Sequence, residues 1–103
     1  MLVRFRFTGG QGTKRRPAVI LTGDHYHNSR ADAVMLALST RRGDHYFGDC
    51  EIVDWQGAGL PQPTKAKGVI QTIEQRTVES RLGTLSANDF TRVKQSVRDI
   101  LGL

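Results

Sequence analysis

The 103-residue chain carries 15 Lys and Arg against 10 Asp and Glu, a formal net charge of +5, with 38% apolar residues. That length suits one compact core, since independent domains usually need about 50 residues or more, and residues 1–103 are read as a single domain. No segment approaches the roughly 18 consecutive apolar residues of a membrane span. The lone Cys50 excludes an internal disulfide and a cysteine-cluster metal site, and its natural role is that of a small semi-buried filler. Arg4 and Arg6 interrupt the only apolar run near the start, unlike a secretory signal, so the expected compartment is the cytoplasm. The excess of positive charge favours a polyanionic partner, meaning RNA, DNA or an acidic protein.

Leu2-Val3-Arg4-Phe5-Arg6-Phe7 alternates apolar and basic side chains and predicts a first strand with one covered face. Thr8 to Thr13 is a glycine-rich loop, with Lys14-Arg15-Arg16 as its charged exit. Ala18 to Thr22 predicts a second strand, Pro17 being tolerated at its start. After a polar, turn-forming stretch from Gly23 to Asp32, Ala33 to Ser39 predicts a third strand closing a hairpin with the second. Further strands are expected over 49–54 and 68–73, separated by a Gly/Pro-rich connector over 56–63, and a last one over 78–83.

The period then lengthens. Ser86 with Asp89 three residues on forms a capping-box variant, and Phe90, Val93, Val97, Ile100 and Leu101 fall on one face of a helix ending near Leu101. The expected fold class is therefore mostly β with a C-terminal α-helix, a small barrel of antiparallel strands whose closure would remove exposed edges.

Hairpin register turns two distant residues into neighbours. If the second strand ends at Thr22 and the third begins at Ala33, paired residue numbers sum to a constant, which sets Arg16 opposite Ser39, or Thr40 after a slip of one. A planar, permanently charged donor fork beside a hydroxyl suits a phosphorane-like transition state, and the arrangement calls for no metal or other cofactor. The competing reading makes Arg16 a solvated strand-end cation and Ser39 an ordinary sheet hydroxyl. The two segments Gly23-Asp24-His25-Tyr26-His27 and Gly43-Asp44-His45-Tyr46-Phe47 lie at opposite ends of the third strand, about 20 Å or more apart, too far to share one ion. Trp55 is expected in a core or an interface.

Thr13-Lys14-Arg15-Arg16-Pro17-Ala18-Val19-Ile20-Leu21 behind a glycine-rich loop, followed by Leu36-Ala37-Leu38-Ser39, closely resembles the MazF/PemK family of toxin endoribonucleases. Leu60 to Lys67, Thr72-Ile73-Glu74 and Arg81 to Ser86 with the terminal helix resemble the PemK-like branch. The resemblance implies an SH3-like barrel that forms a homodimer, cuts single-stranded RNA without a metal ion, and is silenced by an acidic antitoxin protein. It places the family's catalytic arginine on Arg16 and its Thr/Ser partner on Ser39. From their own charge and placement, Lys14, Arg15, Thr40, Lys65 and Lys67 are expected to be RNA-binding residues, the lysines as point charges for phosphate. The chain reads Phe5-Arg6-Phe7 where members commonly have Phe-Pro-Phe, and Ala66 and Gly68 where some carry an arginine and an aspartate. The alternative function is a catalytically inactive barrel that binds nucleic acid or an antitoxin-like peptide.

Overall fold

The computed structural model describes residues 1–8, 12–40 and 43–103. Among these, β1 (Leu2–Thr8), β2 (Thr13–Ile20), β3 (Asp32–Ser39), β4 (Cys50–Ile52), β5 (Thr64–Glu74) and β6 (Val78–Gly83) form one sheet in the order β4-β5-β3-β2-β1-β6. All neighbouring strands run antiparallel. A short helix, α1 (Asp24–Ser29), precedes β3, and α2 (Ala87–Leu101) ends the fold. The glycine-rich loop expected over residues 8–13 falls partly outside the described residues.

The expected closed barrel is realised as an open, six-stranded sheet with β4 and β6 at its edges. Closure is not needed to protect the β4 edge, because α2 side chains cover its backbone groups. Arg92 Nη1 donates to the Glu51 carbonyl at 2.9 Å, and the Asp89 carboxylate accepts from the amides of Val53 and Asp54 at 3.0 and 2.8 Å. Asp89 is 1% exposed. Burial disfavours its charge, yet the two amides, the Ser86 hydroxyl and Arg92 outweigh burial and hold its carboxyl below the usual carboxylate range. The capping box is thus half as expected: Ser86 Oγ accepts from the Asp89 amide at 3.1 Å, while the Asp89 side chain reaches across to the end of β4.

Each face of the sheet has its own core. On one side Leu2, Val19, Leu36, Leu38, Ile52, Ala66 and Val93 pack together, with Trp55, Phe90 and Val97 against them, so the apolar stripe of α2 sits on this face. Cys50 is a buried member of the same cluster. Leu101, read from the sequence as part of the stripe, is 55% exposed. On the other side Val3, Phe5, Ala18, Ile20, Ala33 and Met35 pack with Ile73 and Val78 beneath no helix. This uncovered face carries the candidate site.

Candidate active site

β2 and β3 pair as Ala18 with Ala37, Val19 with Leu36 and Ile20 with Met35. The residue numbers sum to the constant that also relates Arg16 to Ser39, so the expected register holds. The ladder itself stops at Ala18 and Ala37. Next in line is Pro17, which has no N–H to donate, and β3 shifts register against β5 between Leu36 and Leu38. Released on both sides, the strand ends part and leave a groove of about 470 Å³. Its lining includes Arg16, Ser39, Lys67, Gln71 and the rings of Phe5 and Phe7.

Arg16 is exposed, and among the described residues no carboxylate pairs with it. It stands opposite Phe5 on β1, which is 5% exposed, while Phe7, opposite Lys14, is 47% exposed. The groove therefore offers a cation and a hydroxyl over an apolar floor, with an accessible aromatic ring on its rim. Among the described residues lining it there is no Asp, Glu or His. Such a set of donors fits an oxyanion and would not hold a hard divalent cation, which takes oxygen ligands.

The other sequence-predicted residues separate in space. Lys67 lines the groove with Arg16 and Ser39. Lys14 is exposed on the groove side of β2, whereas the pleat sends Arg15 to the opposite face beside Arg6. There Glu79 takes Arg15 Nε at 2.7 Å and Arg6 Nε at 3.4 Å. Thr40 lies past Ser39, in the wall of a second, smaller pocket of about 230 Å³. Lys65 contributes to that pocket too, but its ammonium is committed elsewhere.

Lys65 Nζ donates to the Asp49 carboxylate and to the Asp44 carbonyl, both at 2.8 Å, and the side chains of Lys65 and Asp49 are only 10% and 4% exposed. Asp49 also accepts from the amides of Gly68 at 2.7 Å and Tyr46 at 3.2 Å. Burial works against the Asp49 charge, but the Lys65 hydrogen bond, the two amides and the Coulomb attraction of Lys65 outweigh it and hold the carboxyl down at about 2. The approach is close: a Cβ on Gly68 would stand 2.7 Å from the carbonyl carbon of Gly48, itself at φ +93°. This clamp seats residues 43–49 on β5.

Sequence reasoning missed Asp49, because nothing local marks an aspartate whose partner lies 16 residues away on another strand. The two Gly-Asp-His-Tyr segments differ in use. The first forms α1, where His27 Nε2 lies 2.6 Å from Thr22 Oγ1 and Tyr26 donates to Asp32 at 2.8 Å. The second is the clamped loop, whose His45 lines the smaller pocket.

An open, all-antiparallel sheet with a terminal helix and a donor-lined groove between β2 and β3 defines a small β fold built to receive an anion. The family model described as PemK-like, MazF-like toxin of type II toxin-antitoxin system matches residues 1–101, and the chain belongs to that family. Among solved structures, Mycobacterium tuberculosis toxin MazF-mt6 superposes with a TM-score of 0.76 at 21% identity, over 100% of this chain and 98% of that one. A MazE-MazF complex from Deinococcus radiodurans gives 0.79 at 22% identity, over 99% and 92%. An endoribonuclease in complex with its cognate antitoxin from a mycobacterial species gives 0.77 at 19%, over 98% and 92%. Among curated proteins none matches the sequence. Among the described residues no helix is long and apolar enough to cross a membrane.

Proposed function

We propose that this toxin is a metal-independent endoribonuclease acting on single-stranded RNA in the groove between β2 and β3. The observation that carries the reading is Arg16, exposed in a groove shared with Ser39 and Lys67 and paired with no carboxylate among the described residues. A guanidinium left without an anion is suited to receive one.

In the reaction the RNA's own 2′-oxygen attacks the adjacent phosphorus and the bond from phosphorus to the 5′-oxygen breaks. The products are a 2′,3′-cyclic phosphate and a 5′-hydroxyl, with the 2′-hydroxyl proton lost and one proton gained by the leaving oxygen. Arg16 stabilises the charge on the phosphorane oxygens, and Ser39 holds the phosphate in line. Arginine does not release protons in proteins, whereas the Lys67 ammonium in the same groove is able to supply one to the leaving oxygen. Phe7, half exposed on the rim, offers a face for base stacking.

Purified protein should cut single-stranded RNA in EDTA and leave the matching DNA intact, since DNA lacks the attacking group. Strict dependence on added Mg²⁺ would refute the mechanism. The same reading includes a homodimer burying at least about 1,000 Å² in total, and Phe47 (79% exposed) and Leu103 (81% exposed) are apolar surfaces such contacts would cover. A light-scattering mass of one chain at micromolar concentration would remove the dimer. It also includes an acidic antitoxin laid across the groove, supported by the solved family complexes, whose binding should abolish RNA binding.

A further inference from the structure

Ser39 lines both the groove and the smaller pocket, so the two cavities meet at the residue assigned to hold the phosphate. The register carries the connection further: Ser39 on β3 pairs with Lys65 on β5, and Lys65 pairs with Glu51 on β4. Residues directly opposite in antiparallel strands share a face, so Ser39, Lys65 and Glu51 form one row leading away from Arg16 into the pocket. We propose that this pocket is the subsite for one nucleobase, that of a nucleotide joined to the phosphate at Arg16 and Ser39, and that Glu51 selects there for a base bearing an exocyclic amino group. The proposal deepens the ribonuclease reading and takes its phosphate position from it.

Size, rigidity and charge all point to a base. At about 230 Å³ the pocket is smaller than the roughly 300–1,000 Å³ that encloses a drug-sized ligand, and matches a single planar ring system. Several of its described walls are tied down before anything binds. Thr64 is 3% exposed and donates to the Gln62 carbonyl at 2.8 Å, Pro63 presents a rigid ring, and the loop carrying Gly43 and His45 is held by the Asp49–Lys65 pair.

The charge pattern separates a base from a phosphate. Lys65 Nζ is occupied by Asp49 and Asp44, while among the described residues the Glu51 carboxylate has no hydrogen-bond or ion-pair partner. A carboxylate in this position repels a second phosphate and accepts from an amino group, as acidic side chains do from the cytosine amine. Uracil carries a carbonyl oxygen where cytosine has that amine, and this oxygen beside the carboxylate would be disfavoured. His45 also lines the pocket, and an imidazole is able to hydrogen-bond a base edge.

Two arms test the proposal. In the first, 2′-O-methyl oligocytidylate and oligouridylate, which cannot undergo attack by the 2′-oxygen, are titrated against the wild type and Glu51→Gln by fluorescence anisotropy. The wild type should bind the cytidylate about tenfold tighter, the size expected of one good base contact, and the variant should bind the two within about threefold of each other. Equal binding of both oligomers by the wild type, or a preference that survives Glu51→Gln in a protein with an unchanged melting curve, overturns the subsite.

In the second arm, cuts made in a randomised RNA pool are mapped by end sequencing. Uracil should be depleted at one of the two positions flanking the wild-type cut, and the depletion should vanish with Glu51→Gln and persist with His45→Phe only in weakened form. Uracil enriched at both positions also overturns the proposal. A wild type that discriminates between the oligomers yet cuts nothing refutes the ribonuclease reading and leaves the subsite standing.

Discussion

Arg15 and Arg16 are consecutive on β2, yet the pleat sends them to opposite faces of the sheet, and the two faces treat them differently. Arg15 lies beside Arg6 over Glu79, which bonds both cations. Arg16 opens into the groove with Ser39 and Lys67, where among the described residues no acid meets it. The two lysines of β5 repeat the contrast: Lys65 is buried against Asp49, and Lys67 is exposed in the groove. A charge with a fixed partner organises the fold, and a charge left open is available for a ligand. If that division is right, substitutions on the two sides should affect different measurements.

The largest effect belongs to the buried side. Asp49→Ala strands the Lys65 ammonium and two backbone amides, those of Gly68 and Tyr46, and breaking a buried pair in this way costs about 3–5 kcal/mol. Lys65→Met should cost less, because Asp49 keeps both amides. Urea unfolding monitored by circular dichroism gives the two values. Equal midpoints for wild type and Asp49→Ala would show that the clamp contributes nothing.

Next comes the open side. Arg16→Ala should lower the cutting rate by about 100- to 1,000-fold, the usual result of removing a donor to a transition-state oxyanion, while the unfolding midpoint stays at the wild-type value. Ser39→Ala should weaken cutting less. A variant lacking Arg16 that cuts at the wild-type rate would break the assignment of the groove as the active site.

The clamp also predicts a response to acid. Asp49 is held at about 2 against 3.8 for a free aspartate, so its contribution to stability is complete above the free value and is lost as pH falls through the folded one. The amount is about 2 kcal/mol. The stability gap between wild type and Asp49→Asn should therefore be constant from pH 7 to 5 and close between about pH 4 and 2. A gap unchanged down to pH 2 would mean that Asp49 does not titrate with unfolding.

How much of this was legible depended on distance along the chain. Arg16 and Ser39 could be matched because one hairpin relates them and antiparallel numbering is rigid. The second strand was expected over 18–22 but runs Thr13–Ile20. Its basic start looks like a loop until β1 is seen to pair with it, Phe5 against Arg16 and Phe7 against Lys14. At the other end Leu21 and Thr22 leave the strand, and Thr22 Oγ1 accepts the Val34 amide instead. β6 came out as expected, while β5 extends back to Thr64 because Lys65 is buried there, a placement its residue type argues against. Helix α1 was invisible within the polar stretch from Gly23 to Asp32, since it is held from outside by Gln75 Nε2, which donates to the His27 carbonyl at 3.3 Å and, just past the helix, to those of Arg30 and Asp32 at 2.7 and 2.8 Å.

The smallest effect is the most direct test of which face meets RNA. Each phosphate contact on a single strand contributes about 0.7 to the slope of log affinity against log salt, through the counterions it releases. Arg16→Ala should therefore reduce the magnitude of that slope by less than about one unit, and Lys67→Ala by a similar amount. Arg15→Ala should leave it unchanged, because Arg15 lies on the opposite face and already has Glu79 for a partner. The measurement needs RNA that is not consumed, so a 2′-O-methyl oligomer titrated at four salt concentrations serves for all three variants. Arg15 and Arg16 carry the same charge one residue apart, and a general electrostatic attraction would register both equally. Only a local contact in the groove separates them, and equal slopes for the two variants would place the RNA somewhere other than between β2 and β3.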